Sequence, residues 1–354
     1  MWYHDLVETG RVPDWLLIAV LRVAQRISAR RRDRLTIDQR DGARHALLAR
    51  LSAAPIALAT DAANDQHYQV PTAFFETVLG PRLKYSCCLW PAGVDTLAQA
   101  EEAMLTLTCA RADLRDGQDV LELGCGWGSL ALWLAEHYPH SRITAMSNSA
   151  TQGEHICRQA RQRGLANLTV LTADMLTFGA DGAHDGRYDR VVSVEMFEHM
   201  KNYALLLQRV AGFLRPGGRL FVHILCHRDT PGEFATDESG DWMARNFFSG
   251  GTMPSADLLL HFARDFAIAE QWLVDGRHYA RTLRAWLARL DDQRPAVEAI
   301  MAAAYGPEQV RRRVAQWRLF FLACAETFAA RGGREYLCCH YLFDRREPPP
   351  RQRS

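Results

Sequence analysis

The chain has 354 residues, with 42 basic and 41 acidic side chains and a formal charge of +1. So even a balance excludes bulk electrostatic attraction to nucleic acid, and a hydrophobic content of 48% is that of a globular protein with a full core. The nine cysteines show no C-x-x-C spacing and Met1 to Gly10 is acidic rather than basic, so neither a zinc or redox motif nor a secretory signal is expected, and a reducing, cytoplasmic setting follows.

In chain order, residues 1–60 read as helical and poor in motifs. The longest apolar run, Trp15 to Leu21, is far shorter than the ~20 residues a membrane span needs. It continues through Arg22-Val23-Ala24-Gln25-Arg26-Ile27 into Arg30-Arg31-Arg32-Asp33-Arg34, an amphipathic helix with a basic end. Such a helix is expected to pack on the body, with weak membrane-surface contact or a homodimer contact as the alternatives. Val120 to Leu123 reads as a buried parallel strand that breaks into Gly124, Gly126 and Gly128 and then into a helix. Strands follow at 142–146, 168–175, 188–194 and 218–225, with helices between them at βαβ spacing, the fifth after the turn Pro216-Gly217-Gly218. Residues 230–262 read as loops and short helices laid over the sheet. A strand is expected over Ala267 to Val274, helices near 280–292 and 307–330, a last strand over Glu335 to Phe343, and a disordered tail over 346–354. This is an α/β, Rossmann-like, doubly wound sheet of seven strands with an N-terminal helical extension and a helical cap insertion.

Ligands in such sheets sit outside the carboxyl ends of the strands. The glycines follow G-x-G-x-G, not the dinucleotide G-x-G-x-x-G, and the second strand ends in Ser147-Asn148-Ser149 with no acid for a ribose. Gly128 is followed by Ser129-Leu130, so a phosphate P-loop is excluded as well. The acid lies instead inside the first strand, at Glu122. That arrangement resembles motif I of the S-adenosylmethionine-dependent methyltransferases, whose ligand carries a sulfonium and no phosphate.

Longer blocks narrow the resemblance. Tyr85-Ser86-Cys87-Cys88, Ser147-Asn148-Ser149-Ala150-Thr151-Gln152 and Glu195-Met196-Phe197-Glu198-His199-Met200-Lys201-Asn202-Tyr203 are similar to the cyclopropane-fatty-acid synthase superfamily. The blocks 247–258, 272–280 and 317–321 resemble its coclaurine N-methyltransferase branch, and the likeness covers residues 60–345. It implies residues 1–115 as a helical extension and cofactor-covering segment. Residues 116–345 then form the methyltransferase domain, with a cap insertion near 230–262 and helices over 279–330. The implied cofactor is S-adenosyl-L-methionine, leaving as S-adenosyl-L-homocysteine. Tyr85 and Ser86 would meet its methionine end, Gly124 and Gly126 its close backbone contacts, Asn148 and Gln152 its ribose, and Asp174 and Met175 its adenine. Asp174 could instead cap the next helix.

Methyl transfer to nitrogen needs a free lone pair, and alkylamines with pKa values near 10 are only about one part in a thousand neutral at pH 7. A base is therefore required, and Glu198 and His199, with Glu195 on the same face, offer a carboxylate–imidazole pair on the rim. The acceptor pocket should be apolar and aromatic, with Tyr68, Gln69, Phe248, His278, Tyr279, Trp317, Arg318, Phe321, Phe328 and Tyr341 as its candidates. Aromatic residues at helical spacing are as often core as pocket. The expected activity is N-methylation of a small cyclic or aromatic amine, with no metal. One departure stands out, Gln69 where the family pattern has an acid. The other branch transfers a methylene to an unsaturated lipid and holds a bicarbonate base, for which Cys87, Glu198 and His199 would be partners.

Overall fold

A computed structural model describes residues 10–57, 70–234, 247, 250–262 and 264–347. The expectations placed on Tyr68, Gln69, Phe248 and residues 348–354 lie outside the described residues. The sheet has seven strands: β1 Asp119–Leu123, β2 Arg142–Ser147, β3 Leu168–Thr172, β4 Tyr188–Val194, β5 Leu214–His227, β6 Phe266–Val274 and β7 Tyr336–Arg345. Their spatial order is β3-β2-β1-β4-β5-β7-β6. The first five run parallel, and β7 pairs antiparallel with both β5 and β6. All five residues of β1 are buried, because helices cover both faces of a parallel sheet.

Two helices, α1 Asp14–Asp33 and α2 Ile37–Ala53, precede the sheet. The α1 helix packs on the body through Ala29, the Arg22–Glu326 pair and a hydrogen bond from Gln25 to Thr327, leaving Val20, Val23 and Ile27 exposed. Among the described residues no helix is long and apolar enough to cross a membrane. Next come α3 Thr72–Val78 and α4 Leu97–Arg111, then the sheet helices α5 Ser129–His137, α6 Ala150–Gln162 and α7 Tyr203–Phe213. Asn202 caps α7, and its side-chain amide donates to the carbonyls of Ser52 and Ala54 at 2.8 Å, tying α2 to the β4 rim.

Two helices, α8 Gly276–Asp292 and α10 Val310–Ala329, cover the carboxyl ends of the strands, and α9 Arg294–Tyr305 packs against them and α3. Buried residues recur on α8 at 279, 283, 286 and 290, and on α10 at 314, 317, 321, 324 and 328. This 3–4 spacing gives each helix one apolar stripe. The stripes meet Phe74 and Phe75 of α3 in an aromatic core, with the Phe74 and Trp317 ring centres 4.7 Å apart.

Three differences from the expected elements have local causes. The helix α9 fills a stretch read as a connection, although Pro295 in its first turn and Gly306 just past its end mark a helix. The β3 strand stops at Thr172, short of Asp174. The β5 strand begins at Leu214 because Pro216-Gly217-Gly218 is absorbed as an irregularity in its pairing with β4 rather than forming a separate turn.

Arg318 corrects the sequence reading most clearly. Its guanidinium pairs with Asp14 of α1, at 2.6 Å, and with Asp291 at the end of α8. It joins the N-terminal extension to the helical cover and lies away from the rim. Replacing Arg318 by alanine is expected to lower stability by about 1 kcal/mol, since both carboxylates are half exposed, with turnover unchanged. Thermal unfolding beside initial rates measures both.

Candidate active site

A cavity opens between the carboxyl ends of β1, β4 and β5 and the helices α8 and α10. Of the residues singled out from the sequence, Tyr85, Ser86, Gly124, Gly126, Gln152, Glu195, Glu198, His199, Tyr279 and Phe328 line it. Lys84, Glu122, Trp127, Trp286 and Cys324 complete much of the wall.

The glycine arc forms one end. Gly124, Gly126 and Gly128 all have positive φ, the left-handed region that L side chains avoid. At Gly126 an added Cβ would meet nothing within 4 Å, whereas at Gly124 it would strike Met196 at 2.6 Å. Gly126 thus leaves open space for a ligand and Gly124 allows tight packing. Ser149 caps α6, whose Gln152 accepts a hydrogen bond from Ser147 and leaves its buried amide nitrogen unpartnered.

Glu122 is 2% exposed and one of its oxygens has no hydrogen-bond partner. Burial pushes its carboxyl up to about 8, against the opposing pull of the Lys84 ammonium and the Ala131 N–H. Lys84 is itself buried and donates to Ser86. Its signal in the sequence is rarity: Lys84 and Lys201 are the only lysines in an arginine-rich chain, and both are buried. A ligand carrying a sulfonium and an amino group suits this end of the cavity, where Gly126, Gln152, Ser86 and Glu122 would hold it.

The other cofactor candidates stand elsewhere. Asn148 and Asp174 follow the ends of β2 and β3 without lining the cavity, and an Asp174 oxygen accepts the Leu176 N–H at 2.7 Å in a local turn. Met175 is 4% exposed within the main core. His278 accepts the Trp90 N–H at 3.0 Å, and Trp317 and Phe321 are core aromatics. None of these six side chains reaches the cavity wall.

Glu195 ends β4 with φ +51, a strained conformation for a residue with a side chain. One of its oxygens accepts the Cys87 N–H at 2.9 Å and the other accepts the Tyr279 hydroxyl at 2.7 Å. Burial raises its carboxyl above the usual range, opposed by the Lys84 charge and these two donors. Glu198 turns into the sheet, where it accepts the Leu225 N–H at 2.6 Å, and its second oxygen has no partner. Burial and the neighbouring Glu195 push Glu198 well above its ordinary value. His199 closes the short turn Phe197–His199 at the cavity wall. Burial lowers its imidazole and Glu195 partly restores it, so His199 is neutral near pH 7. The Glu195 charge is thus felt at His199, whereas Glu198, paired with His199 in the sequence reading, turns to the Leu225 N–H.

A seven-stranded sheet of this order, with a glycine arc at β1 and an acid behind it, defines an S-adenosylmethionine-dependent methyltransferase. The comparisons agree. The family model for mycolic acid cyclopropane synthetase matches residues 58–336, and the chain belongs to that family. It is 38% identical over 295 residues to (S)-coclaurine N-methyltransferase of Thalictrum flavum subsp. glaucum, covering 82% of this chain and 81% of the relative. The crystal structure of coclaurine N-methyltransferase bound to N-methylheliamine and SAH superposes with a TM-score of 0.90 at 33% identity, covering 96% of this chain and 97% of that one. More distant is the cyclopropane-fatty-acyl-phospholipid synthase of Escherichia coli (strain K12), 32% identical over 75% of this chain and 64% of its own length.

The charge state of Glu122 yields an expected result. A cationic donor favours its ionised form, so binding should release a proton between about pH 6 and 8. Affinity should rise by up to about tenfold per pH unit there and flatten above pH 8. Calorimetry in buffers of different ionisation enthalpy reads the proton, and Glu122→Gln should abolish both the release and the slope.

Proposed function

We propose that the protein transfers a methyl group from S-adenosylmethionine to the nitrogen of a small cyclic amine of the tetrahydroisoquinoline type. The observation that carries this reading is the carboxylate of Glu195 held at the cavity wall between the Cys87 N–H and the Tyr279 hydroxyl, with His199 beside it. A fixed anion in an aromatic cavity suits an ammonium substrate and a still more alkylated cationic product. Tyr85, Trp286 and Phe328 supply flat apolar walls. The likeness to coclaurine N-methyltransferase supports the same acceptor class.

The chemistry follows from the charges. An ammonium entering this desolvated space becomes easier to deprotonate, as any buried cation does. Neutral His199 takes its proton, and Glu195 stabilises the imidazolium that forms. The bound donor supplies an electrophilic methyl, and the freed nitrogen displaces its thioether in line. The walls hold the two in register.

The lipid branch is disfavoured by the same contact. A bicarbonate base there needs the Cys87 donor, and here the Glu195 carboxylate takes it. Nine cysteines, all unbridged, fit a reducing compartment.

The test is transfer of labelled methyl from the donor to a panel of tetrahydroisoquinolines, run beside unsaturated phospholipid vesicles. Label in the amines and none in the lipid is expected. Label in the lipid alone would refute the proposal.

A further inference from the structure

Just past His199 the chain carries Lys201, one of its only two lysines and one that the chemistry above does not use. The residue is 3% exposed, and its Nζ donates to the Glu233 carboxylate at 3.0 Å, the Thr252 hydroxyl at 3.2 Å and the Gly251 carbonyl at 3.3 Å. Glu233 and Thr252 lie opposite one another in a two-stranded ribbon, Gly232–Glu233 paired with Thr252–Met253. Against the opposing pull of burial, the Lys201 and Arg50 cations hold the Glu233 carboxyl below its usual range. The Thr252 hydroxyl in turn donates to the Met200 carbonyl at 3.5 Å. The backbone at this point ties a different segment. The Lys201 N–H donates to the Ile56 carbonyl at 2.8 Å, and Met200 bridges to Ala57.

We propose that Lys201 is a positioning residue for the methyl transfer, clamping the ribbon and residues 56–57 to the catalytic turn and so fixing where His199 holds its imidazole. The inference rests on the amine reading, in which His199 takes the proton. The need for a clamp follows from the size of the turn. Phe197–His199 is a single tight turn, closed by hydrogen bonds of 3.0 Å from the His199 and Met200 N–H groups to the Met196 and Phe197 carbonyls. A turn this short has too few bonds to hold its own direction, and proton transfer tolerates little error in it. Glu198 fixes the turn on the sheet side through the Leu225 N–H. Lys201 fixes it at its exit.

A compact ammonium suits this task. Three acceptors converge on one nitrogen here, a geometry that a planar guanidinium does not offer. Burial strengthens each of these bonds and makes loss of the cation costly, since the largely exposed Arg50 would be the remaining cation on Glu233 among the described residues.

Initial rates and calorimetry compare the wild type with Lys201→Met, His199→Ala and the double variant carrying both. The methionine variant should lose about 10- to 100-fold in kcat, the scale of a misplacement of roughly 1 Å. Donor affinity and the KM for the amine should stay within about threefold. The double variant decides how the loss arises. If Lys201 acts through His199, removing it where the imidazole is already gone should cost less than about threefold. Costs that multiply, or an unchanged kcat in a folded methionine variant, overturn the proposal. Glu233→Gln keeps an acceptor for the ammonium without the charge, and should show the same pattern at about three- to tenfold. It takes the place of the methionine variant if that one does not fold.

Amide exchange reads the clamp with no acceptor present. The His199 and Met200 N–H groups should exchange about tenfold faster in Lys201→Met or Glu233→Gln, while those of β1 keep wild-type rates. Unchanged exchange at His199 and Met200 overturns the proposal as well. A wild type that methylates no amine would strike the amine reading, and the exchange rates would still decide whether Lys201 holds the turn.

Discussion

His199→Ala is expected to lower turnover by about 10²–10⁴, the range of positioned general bases, while donor affinity stays near wild type. The separation follows from the layout. His199 stands on the cavity wall with Glu195, whereas the end of the cavity proposed for the donor is lined by the glycine arc, Gln152 and Glu122 of other elements. Added imidazole, small enough for the space vacated, should restore part of the rate. Single-turnover kinetics with labelled donor, beside calorimetry, separates the two quantities. Turnover within threefold of wild type would remove the base from the mechanism.

The second large effect belongs to Glu195→Gln. Losing the buried anion should lower turnover by about 10²–10³, the scale found when one preorganised electrostatic partner of a transition state is deleted. The pH profile should change in a direction that simple damage would not produce. His199 must be neutral to accept a proton, so activity falls as pH drops through its pKa, which burial holds below 6.5. Glu195 is the group that raises that pKa, and removing its charge lowers it further. The variant should therefore be slower at its optimum yet lose proportionately less activity at pH 5.5–6.5. An acid limb displaced upward would contradict the electrostatic role.

Much of the fold was legible because each of its central strands is buried on both faces and reads as a short apolar run between glycine and polar turns. The rule that ligands gather at carboxyl ends then points to Gly124, Glu195 and His199 from the sequence alone. The helical cover was harder. Trp317 and Phe321 share a stripe on α10 with Cys324 and Phe328, yet only the last two reach the cavity. Periodicity tells which side of a helix is apolar, not which turn of it overhangs a pocket.

The particular chemistry of Glu195 was least visible. Its partners Cys87 and Tyr279 lie 108 and 84 residues away in sequence. The sequence by itself determined the sheet, the family and the rim on which the reaction sits, since these depend on local spacing and short motifs. Only the tertiary structure decided that the Glu195 charge is felt at His199 while Glu198 turns to Leu225, and that Arg318 pairs with Asp14 and Asp291. It also decided that Lys84 and Glu122 face the same buried space. Charge state and hydrogen-bond partners are set by burial among distant segments, and that exists only once the chain has packed.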